Sequence, residues 1–319
     1  MKDWNGKRVL ITGANGFIGS HLTERLVNMG ADVSVFIRWT SDSAPKPVLR
    51  NIPHLIDKIK IITGDVSNSD TIDLIAKNEP QIIFHLAADA YVPNSFEHPI
   101  DVTETNLIGT LNILHASMKL KDIERVVCTS SSEIYGTPKY VPIDENHPLN
   151  PAHPYGASKA AADRYAYAYW NTYHLPIAII RPFNTYGPRH TYDVVPKFIR
   201  LAMQGKDITI HGDGNQTRDF VYVDDMVNAF LLMGSEEKAV GEVVNFGTGK
   251  ETTMNDLAQK VVALSKSSSK IVHTDDRKAQ VLRLCCDYSK AKKMFGWEPK
   301  VSLEEGLKKN IEWEASKEE

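Results

Sequence analysis

Tyr155 and Lys159 stand four residues apart in Tyr155-Gly156-Ala157-Ser158-Lys159, a spacing that sets both side chains on one face of a helix. A lysine near a phenol favours the phenolate and lowers its pKa. Such a tyrosine removes a hydroxyl proton while hydride leaves the same carbon. Upstream, Ser130-Ser131-Ser132-Glu133 brings hydroxyls and a carboxylate to what reads as a strand end. The remaining piece that handles phosphate is Gly13-Ala14-Asn15-Gly16-Phe17-Ile18-Gly19. In such a loop Gly13 permits the tight turn, Gly16 lets the backbone approach a pyrophosphate, and Gly19 allows close helix–strand packing. The helix that follows favours negative phosphates at its N-terminus. Arg181-Pro182-Phe183-Asn184 then reads as a loop behind a nicotinamide. The ordered set describes one redox site.

These pieces need a scaffold, and the first half of the chain alternates strand and helix. Arg8–Ile11 is a short apolar run that ends in the glycine turn. Phe17 to Met29 reads as helix, closed by Gly30. Val33–Ile37 and Ile59–Ile62 are strand-like, Asp70–Asn78 reads as helix, and Gln81–Leu86 reads as strand. A long helix is expected over Pro99–Lys119, then a strand over Arg125–Thr129. Repeated strand–helix–strand units predict an α/β fold, a Rossmann-type doubly wound parallel sheet with right-handed crossovers. Beyond residue 182 the texture changes to short loops such as Gly212-Asp213-Gly214-Asn215 between helical stretches at Pro196–Gln204 and Met254–Ser265. The expected division is a dinucleotide-binding domain of residues 1–182 plus about 220–247. Residues 183–219 and 248–319 then make a smaller α/β lobe for substrate.

The end of the second strand selects the cofactor. A binder of the free 2′-hydroxyl usually carries Asp or Glu there. This chain has Ile37-Arg38, with Thr40, Ser41 and Ser43 behind, and a guanidinium matches a 2′-phosphate. NADP is therefore expected over NAD. Asp65, in Gly64-Asp65-Val66, lies where a third strand ends and is placed to meet the adenine amino group.

Bulk properties narrow the class. The 319 residues are 42% hydrophobic and 24% charged, ordinary for a globular enzyme, and the net charge of -3 gives no reason to expect nucleic acid or an anionic membrane as partner. No apolar run reaches membrane-spanning length, and because the first strand begins almost at once no secretory signal is expected. Cys128, Cys285 and Cys286 form neither a disulfide framework nor a zinc spacing, so a reducing cytoplasm and no metal are expected. The eleven histidines are scattered and read as structural or solvent-facing.

The chain resembles the extended short-chain dehydrogenase/reductases, the group of nucleotide-sugar epimerases and dehydratases. Further matching pieces are Leu86-Ala87-Ala88, Asn106-Leu107-Ile108-Gly109-Thr110, Tyr135-Gly136, Asn184-Thr185-Tyr186-Gly187-Pro188-Arg189, Gln216–Asp225 and Asn245-Phe246-Gly247-Thr248-Gly249. The resemblance implies a seven-stranded sheet, a nucleoside-diphosphate sugar as partner in the C-terminal lobe, and a homodimer formed through a helix pair. It implies a cofactor set of Gly13, Asn15, Gly16, Phe17, Ile18, Gly19, Arg38, Asp65, Val66, Leu86, Ala87, Ala88, Asn106, Tyr155, Lys159 and Pro182. Asn184, Arg218 and Arg283 would hold the diphosphate, with Arg189 and Arg277 as further basic residues there. His190 and Tyr192 lie in a loop of undetermined orientation.

Enzymes of this group begin by oxidising carbon 4 of the hexose. By the resemblance Tyr155 is the base, Lys159 holds the nicotinamide ribose and Ser131 bonds the sugar oxygen. Epimerases carry small neutral residues where Glu133 stands, whereas dehydratases carry an acid pair, or serine then glutamate, at Ser132 and Glu133. Glu133 would take the carbon 5 proton while a donor supported by Ser132 assists loss of the carbon 6 hydroxyl. If the strand continued through this segment, Glu133 would project to the same side as Ser131; the other reading pairs it with a lysine or arginine. Decarboxylases of UDP-glucuronate also use a serine–glutamate pair, with an additional arginine where this chain has Asp287-Tyr288-Ser289. The expected activity is a nucleotide-sugar 4,6-dehydratase, the alternatives being a 4-epimerase and a decarboxylase. Pro93-Asn94-Ser95 resembles enzymes of N-acetylglucosamine nucleotides and Ile37-Arg38 resembles GDP-mannose dehydratases, which leaves UDP and GDP both open.

Overall fold

The structure is a computed structural model that describes residues 3–38, 49–276, 279 and 281–317. Arg8–Thr12 forms β1, and four of its five residues are buried, as expected of a strand covered on both faces. Phe17–Asn28 forms α1, Asp32–Ile37 β2, Lys60–Thr63 β3, Thr71–Ala76 α2 and Ile82–His85 β4. Asn94–Glu97 (α3), Pro99–Thr103 (α4) and Gly109–Met118 (α5) precede β5 at Arg125–Thr129. The 20-residue α6, Pro154–Tyr173, leads into β6 at Ile177–Pro182. Then follow β7 (Asn184–Tyr186), α7 (Val194–Met203), β8 (Ile208–His211), β9 (Thr217–Arg218), β10 (Phe220–Tyr222), α8 (Val223–Ser235) and β11 (Val243–Phe246). The chain closes with β12 (Thr252–Thr253), α9 (Met254–Leu264), β13 (Ile271–Thr274), α10 (Ser289–Phe295) and α11 (Leu303–Ala315).

Seven parallel strands make one sheet in the order β11-β6-β5-β4-β1-β2-β3. This is the Rossmann-type arrangement the strand–helix alternation predicts. The order reverses between β1 and β4, and ligands of such sheets bind outside the carboxyl ends of the strands at that point. Alternate residues feed two cores. Val9 and Ile11 pack on the α1 and α8 side with Leu22, Leu26 and Phe230, while Leu10 packs on the α5 side with Ile113 and Leu114. The later strands pair separately, as β7 with β10, β8 with β13, and β9 with β12. Among the described residues no helix is long and apolar enough to cross a membrane.

The long helix expected over Pro99–Lys119 is interrupted. Glu104–Ile108, between α4 and α5, is one turn of π-helix. Its wider turn holds Asn106 fully buried, where the amide accepts from Asp89 N–H at 2.8 Å and donates to Asp89 O at 3.1 Å and Ser158 Oγ at 3.0 Å.

Candidate active site

One cleft of about 1130 Å³ runs along the carboxyl ends of the strands, long enough in its lining to include both the glycine loop and Arg218. Gly13 has φ +73°, and a Cβ there would sit 2.8 Å from both Ala87 N and Leu86 C. A Cβ on Gly19 would overlap the Gly13 carbonyl. Gly16 caps α1 without any side-chain hydrogen bond, so the first turn of the helix opens to the cleft. A pyrophosphate fits here because backbone amides, not side chains, form the wall. Asn15 stiffens this loop, its Oδ1 accepting from Asn51 N–H at 3.1 Å and its carbonyl from Asn51 Nδ2 at 2.9 Å.

Phe17, Ile18, Arg38, Asp65, Val66, Leu86, Ala87, Ala88 and Pro182 also line the cleft. Arg38 is exposed just past β2; Thr40, Ser41, Ser43 and Arg277 lie outside the described residues. Asp65 Oδ1 accepts from the Ser67 amide at 3.0 Å and the Ser67 hydroxyl at 2.7 Å. Asn106 does not belong to this wall. Its buried amide is consumed by Asp89 and Ser158, which makes it a brace beneath the cleft and not a cofactor contact.

Tyr155 and Lys159 both reach the cleft from α6, as the four-residue spacing predicts. The expected lowering of the phenol by Lys159 is not found. Lys159 Nζ donates to Thr129 O at 2.5 Å, and burial lowers the ammonium to about 8. Burial pushes the Tyr155 phenol up; its hydrogen bond with Ser131 acts the other way, and the charges of Tyr192, Glu133 and Asp193 push it further up. Ser131 also receives the Glu133 amide at 3.2 Å.

Strand alternation does not place Glu133. The strand ends at Thr129, and Ser131 instead caps a 3-10 turn over Ser132–Tyr135. That turn still delivers Ser132 and Glu133 to the cleft. Among the described residues no lysine or arginine pairs directly with Glu133. Its Oε2 lies 3.1 Å from His153 Nε2. Burial raises the carboxyl, but the His153 hydrogen bond and the charges of Arg218 and His153 hold it below its ordinary value.

His153 departs from the expectation that the scattered histidines are structural or solvent-facing. The available signal is His153-Pro154 at the start of α6, since proline favours the first helical position and the residue before it is the cap. Arg218 lines the cleft, its Nη1 donating to Thr217 O at 2.8 Å and Val281 O at 2.9 Å. Asn184 lines it too, with Oδ1 buried and unpartnered, an atom that fits a ligand donor.

Arg189 and Arg283 do not line it. Arg189 pairs with Glu24 of α1 at 2.8 Å, and the exposed Arg283 is spent on Glu251 through contacts of 2.9 and 2.5 Å. Arg283 is expected at the diphosphate and Arg189 as a further basic residue beside it; each is instead paired with a nearby glutamate. His190 and Tyr192 face the cleft, His190 stacked on Phe17 at 4.4 Å and Tyr192 edge-on to Tyr91 at 5.8 Å.

A family model described as GDP-mannose 4,6 dehydratase matches residues 10–310. The UDP-glucose 4-epimerase of Mycolicibacterium smegmatis is 36% identical over 311 residues, covering 96% of this chain and 98% of that protein. The UDP-N-acetyl-alpha-D-glucosaminuronate decarboxylase of Bacillus cytotoxicus is 37% identical over 330 residues, covering 96% and 97%. Among solved structures, DesIV, a dTDP-glucose 4,6-dehydratase from Streptomyces venezuelae with NAD and TYD bound, superposes with a TM-score of 0.88 at 30% identity, covering 97% of each chain.

Proposed function

The chain belongs to the extended short-chain dehydrogenase/reductase family of nucleotide-sugar epimerases, dehydratases and decarboxylases, and on that premise we propose that it is a nucleotide-sugar 4,6-dehydratase. Relatives with three different activities match it about equally well, so the choice among them rests on side chains. One observation carries the reading: the Glu133 carboxylate stands in the cleft beside Tyr155, held below its ordinary pKa and hydrogen-bonded by His153. An epimerase, which only turns a ketone over, has no use for that base.

A bound nicotinamide dinucleotide would supply the acceptor for the carbon 4 hydride and the donor that returns it to carbon 6, so that the net reaction is a redox-neutral dehydration. Tyr155 must ionise to take the proton of the carbon 4 hydroxyl. The Ser131 hydrogen bond, which opposes the effect of burial on the phenol, favours that ionisation while Ser131 holds the sugar oxygen. The resulting ketone acidifies the carbon 5 proton, which Glu133 removes. The carbon 6 hydroxyl, directed by Ser132, leaves as water with the proton that Glu133 has taken, and carbon 5 regains a proton once hydride has returned to carbon 6. Arg218 and Asn184 hold the diphosphate of an NDP-N-acetylglucosamine or NDP-hexose. The decarboxylase reading lacks support, since none of Asp287, Tyr288 and Ser289 lines the cleft and Asp287 is bonded to the Ser289 amide at 2.8 Å.

Arg38, at the cleft where a 2′-phosphate would lie, supports NADP over NAD. Residues 1–182 with 220–247 would hold the dinucleotide, and 183–219 with 248–319 the nucleotide sugar. The three cysteines are free and buried, in keeping with a reducing cytoplasm. Outward tyrosines on α6 (Tyr165, Tyr167 and Tyr173) support a homodimer through that helix. The Glu133→Gln variant tests the reading. It abolishes dehydration while hydrogen exchange at carbon 4 persists; full dehydratase activity in that variant overturns the assignment.

A further inference from the structure

His153 caps α6 with an imidazole, a group larger than capping requires. Its backbone is extended (φ -149°, ψ 163°), and its Nδ1 accepts the Gly156 N–H at 3.1 Å. Serine, threonine, asparagine or aspartate perform that task with a single oxygen. What the imidazole adds is a second nitrogen. Because Nδ1 is an acceptor, a neutral ring carries its proton on Nε2, and that N–H points at Glu133 Oε2 from 3.1 Å. A second proton on Nδ1 would have to displace the Gly156 amide.

The ring cannot swing away freely. It lies nearly parallel to the Tyr155 ring, at 6.0 Å and 19°, and meets the edge of Phe96 at 6.2 Å. The His153 side chain is 3% exposed and that of Glu133 14%, so water competes weakly for the contact. The other charged or titratable groups acting on this pair are Arg218 from β9 and Tyr155 from α6, with Tyr192 and Asp193 acting through Tyr155 from the loop before α7.

We propose that His153 is a positioning residue that clamps one oxygen of Glu133 through Nε2–H, ties it to the start of the helix carrying Tyr155, and leaves Oε1 to meet the substrate proton. The inference rests on Glu133 being the proton acceptor at carbon 5. It extends that reading by linking the elimination base to the same helix end as the oxidation base, so the two keep one geometry.

The test uses His153→Ser, which keeps an acceptor for the Gly156 amide but has no donor within reach of Glu133. Dehydration is followed against pH, together with KM for the nucleotide sugar, the nicotinamide absorbance change on a single turnover, and thermal stability. In the variant the acid limb of the pH profile moves to higher pH, because the ionised carboxylate has lost a donor. Its kcat falls about tenfold to a hundredfold, as for loss of one hydrogen bond to a charged group, while KM and the initial absorbance change stay as in the wild type. His153→Gln, whose amide restores a donor toward Glu133, keeps the acid limb near its wild-type position. Should the serine variant fail to fold, His153→Asn preserves the cap and shows the same shift. An unmoved acid limb with kcat within about twofold of wild type overturns the inference, which Glu133→Gln separates from its premise. If that variant is inactive while His153→Ser behaves as wild type, only the clamp fails; if it dehydrates normally, the base assignment fails.

Discussion

Replacing Asp163 with alanine removes the anchor that ties the catalytic helix to the sheet. Asp163 lies one turn beyond Lys159 on α6, and Arg181 is the penultimate residue of β6. Arg181 Nε donates to Asp163 Oδ2 at 2.8 Å and Nη2 to Oδ1 at 3.0 Å; the side chains are 2% and 0% exposed. Losing one member of a buried pair strands the other charge, at a cost of about 3–5 kcal/mol. Arg181 would retain the Tyr135 hydroxyl at 2.8 Å, Glu145 O at 3.4 Å and the Tyr135 ring at 5.2 Å, which puts the loss near the lower figure. At roughly 2–4 °C per kcal/mol for a domain of this order of size, Tm falls by about 6–12 °C. Burial raises the Asp163 carboxyl, but the Arg181 hydrogen bonds and charge outweigh it and hold it below its ordinary value. Its contribution is therefore present above the unfolded carboxyl pKa, about 4, and is lost as pH falls through the lower folded value. Calorimetry between neutral and acid pH reads both effects: the variant melts lower at neutrality, and the gap narrows in acid. The Asp163→Leu, Arg181→Met double variant strands no buried charge, since Arg164, the other partner of Asp163, is half exposed, and it loses less than Asp163→Ala. A fall of under about 2 °C in Asp163→Ala, or a double variant as unstable as the sum of the singles, would show that Asp163 and Arg181 do not form a coupled buried anchor.

Tyr155→Phe lowers kcat by about a hundredfold to ten-thousandfold while leaving dinucleotide affinity within about twofold, measured by steady-state kinetics and fluorescence titration. Arg218→Ala raises KM for the nucleotide sugar by about tenfold or more, whereas Arg283→Ala, whose partner is Glu251, leaves it unchanged; equal effects would place both arginines in the cleft. Arg38→Ala weakens NADP by about tenfold and leaves NAD unaffected in isothermal titration, and equal loss for both cofactors would remove Arg38 from the 2′-phosphate site.

Much of this arrangement is legible in the sequence because it is local. The glycine loop is contiguous, and its requirement for missing side chains is written in three positions that a Cβ would block or strain. The parallel sheet follows from alternation that short windows capture, with boundaries displaced by only a residue or two, as at α1 and β2. Long-range pairing is where the reading fails. Arg189 and Arg283 carry the right charge in the right segments, but Glu24 and Glu251, 165 and 32 residues away along the chain, decide that both face elsewhere. Asn106 looks like a ligand until the π turn buries it. Glu133 reaches the cleft by a 3-10 turn and not by strand alternation, so the expected side was right for a different reason. His153 was hidden because its partner is 20 residues upstream and its cap role resembles that of any polar residue before Pro154.

As a 4,6-dehydratase, this cleft would remove water across carbons 5 and 6 of a nucleotide sugar. Mass spectrometry and proton NMR of products formed separately from UDP-N-acetylglucosamine, GDP-N-acetylglucosamine, GDP-mannose and UDP-glucuronate test it directly. A 4,6-dehydratase gives a product lighter by one water, with a new methyl doublet, from one of the first three. An isomer of unchanged mass would show that the cleft epimerises, and loss of carbon dioxide from UDP-glucuronate would show that it decarboxylates; either result rules out a 4,6-dehydratase.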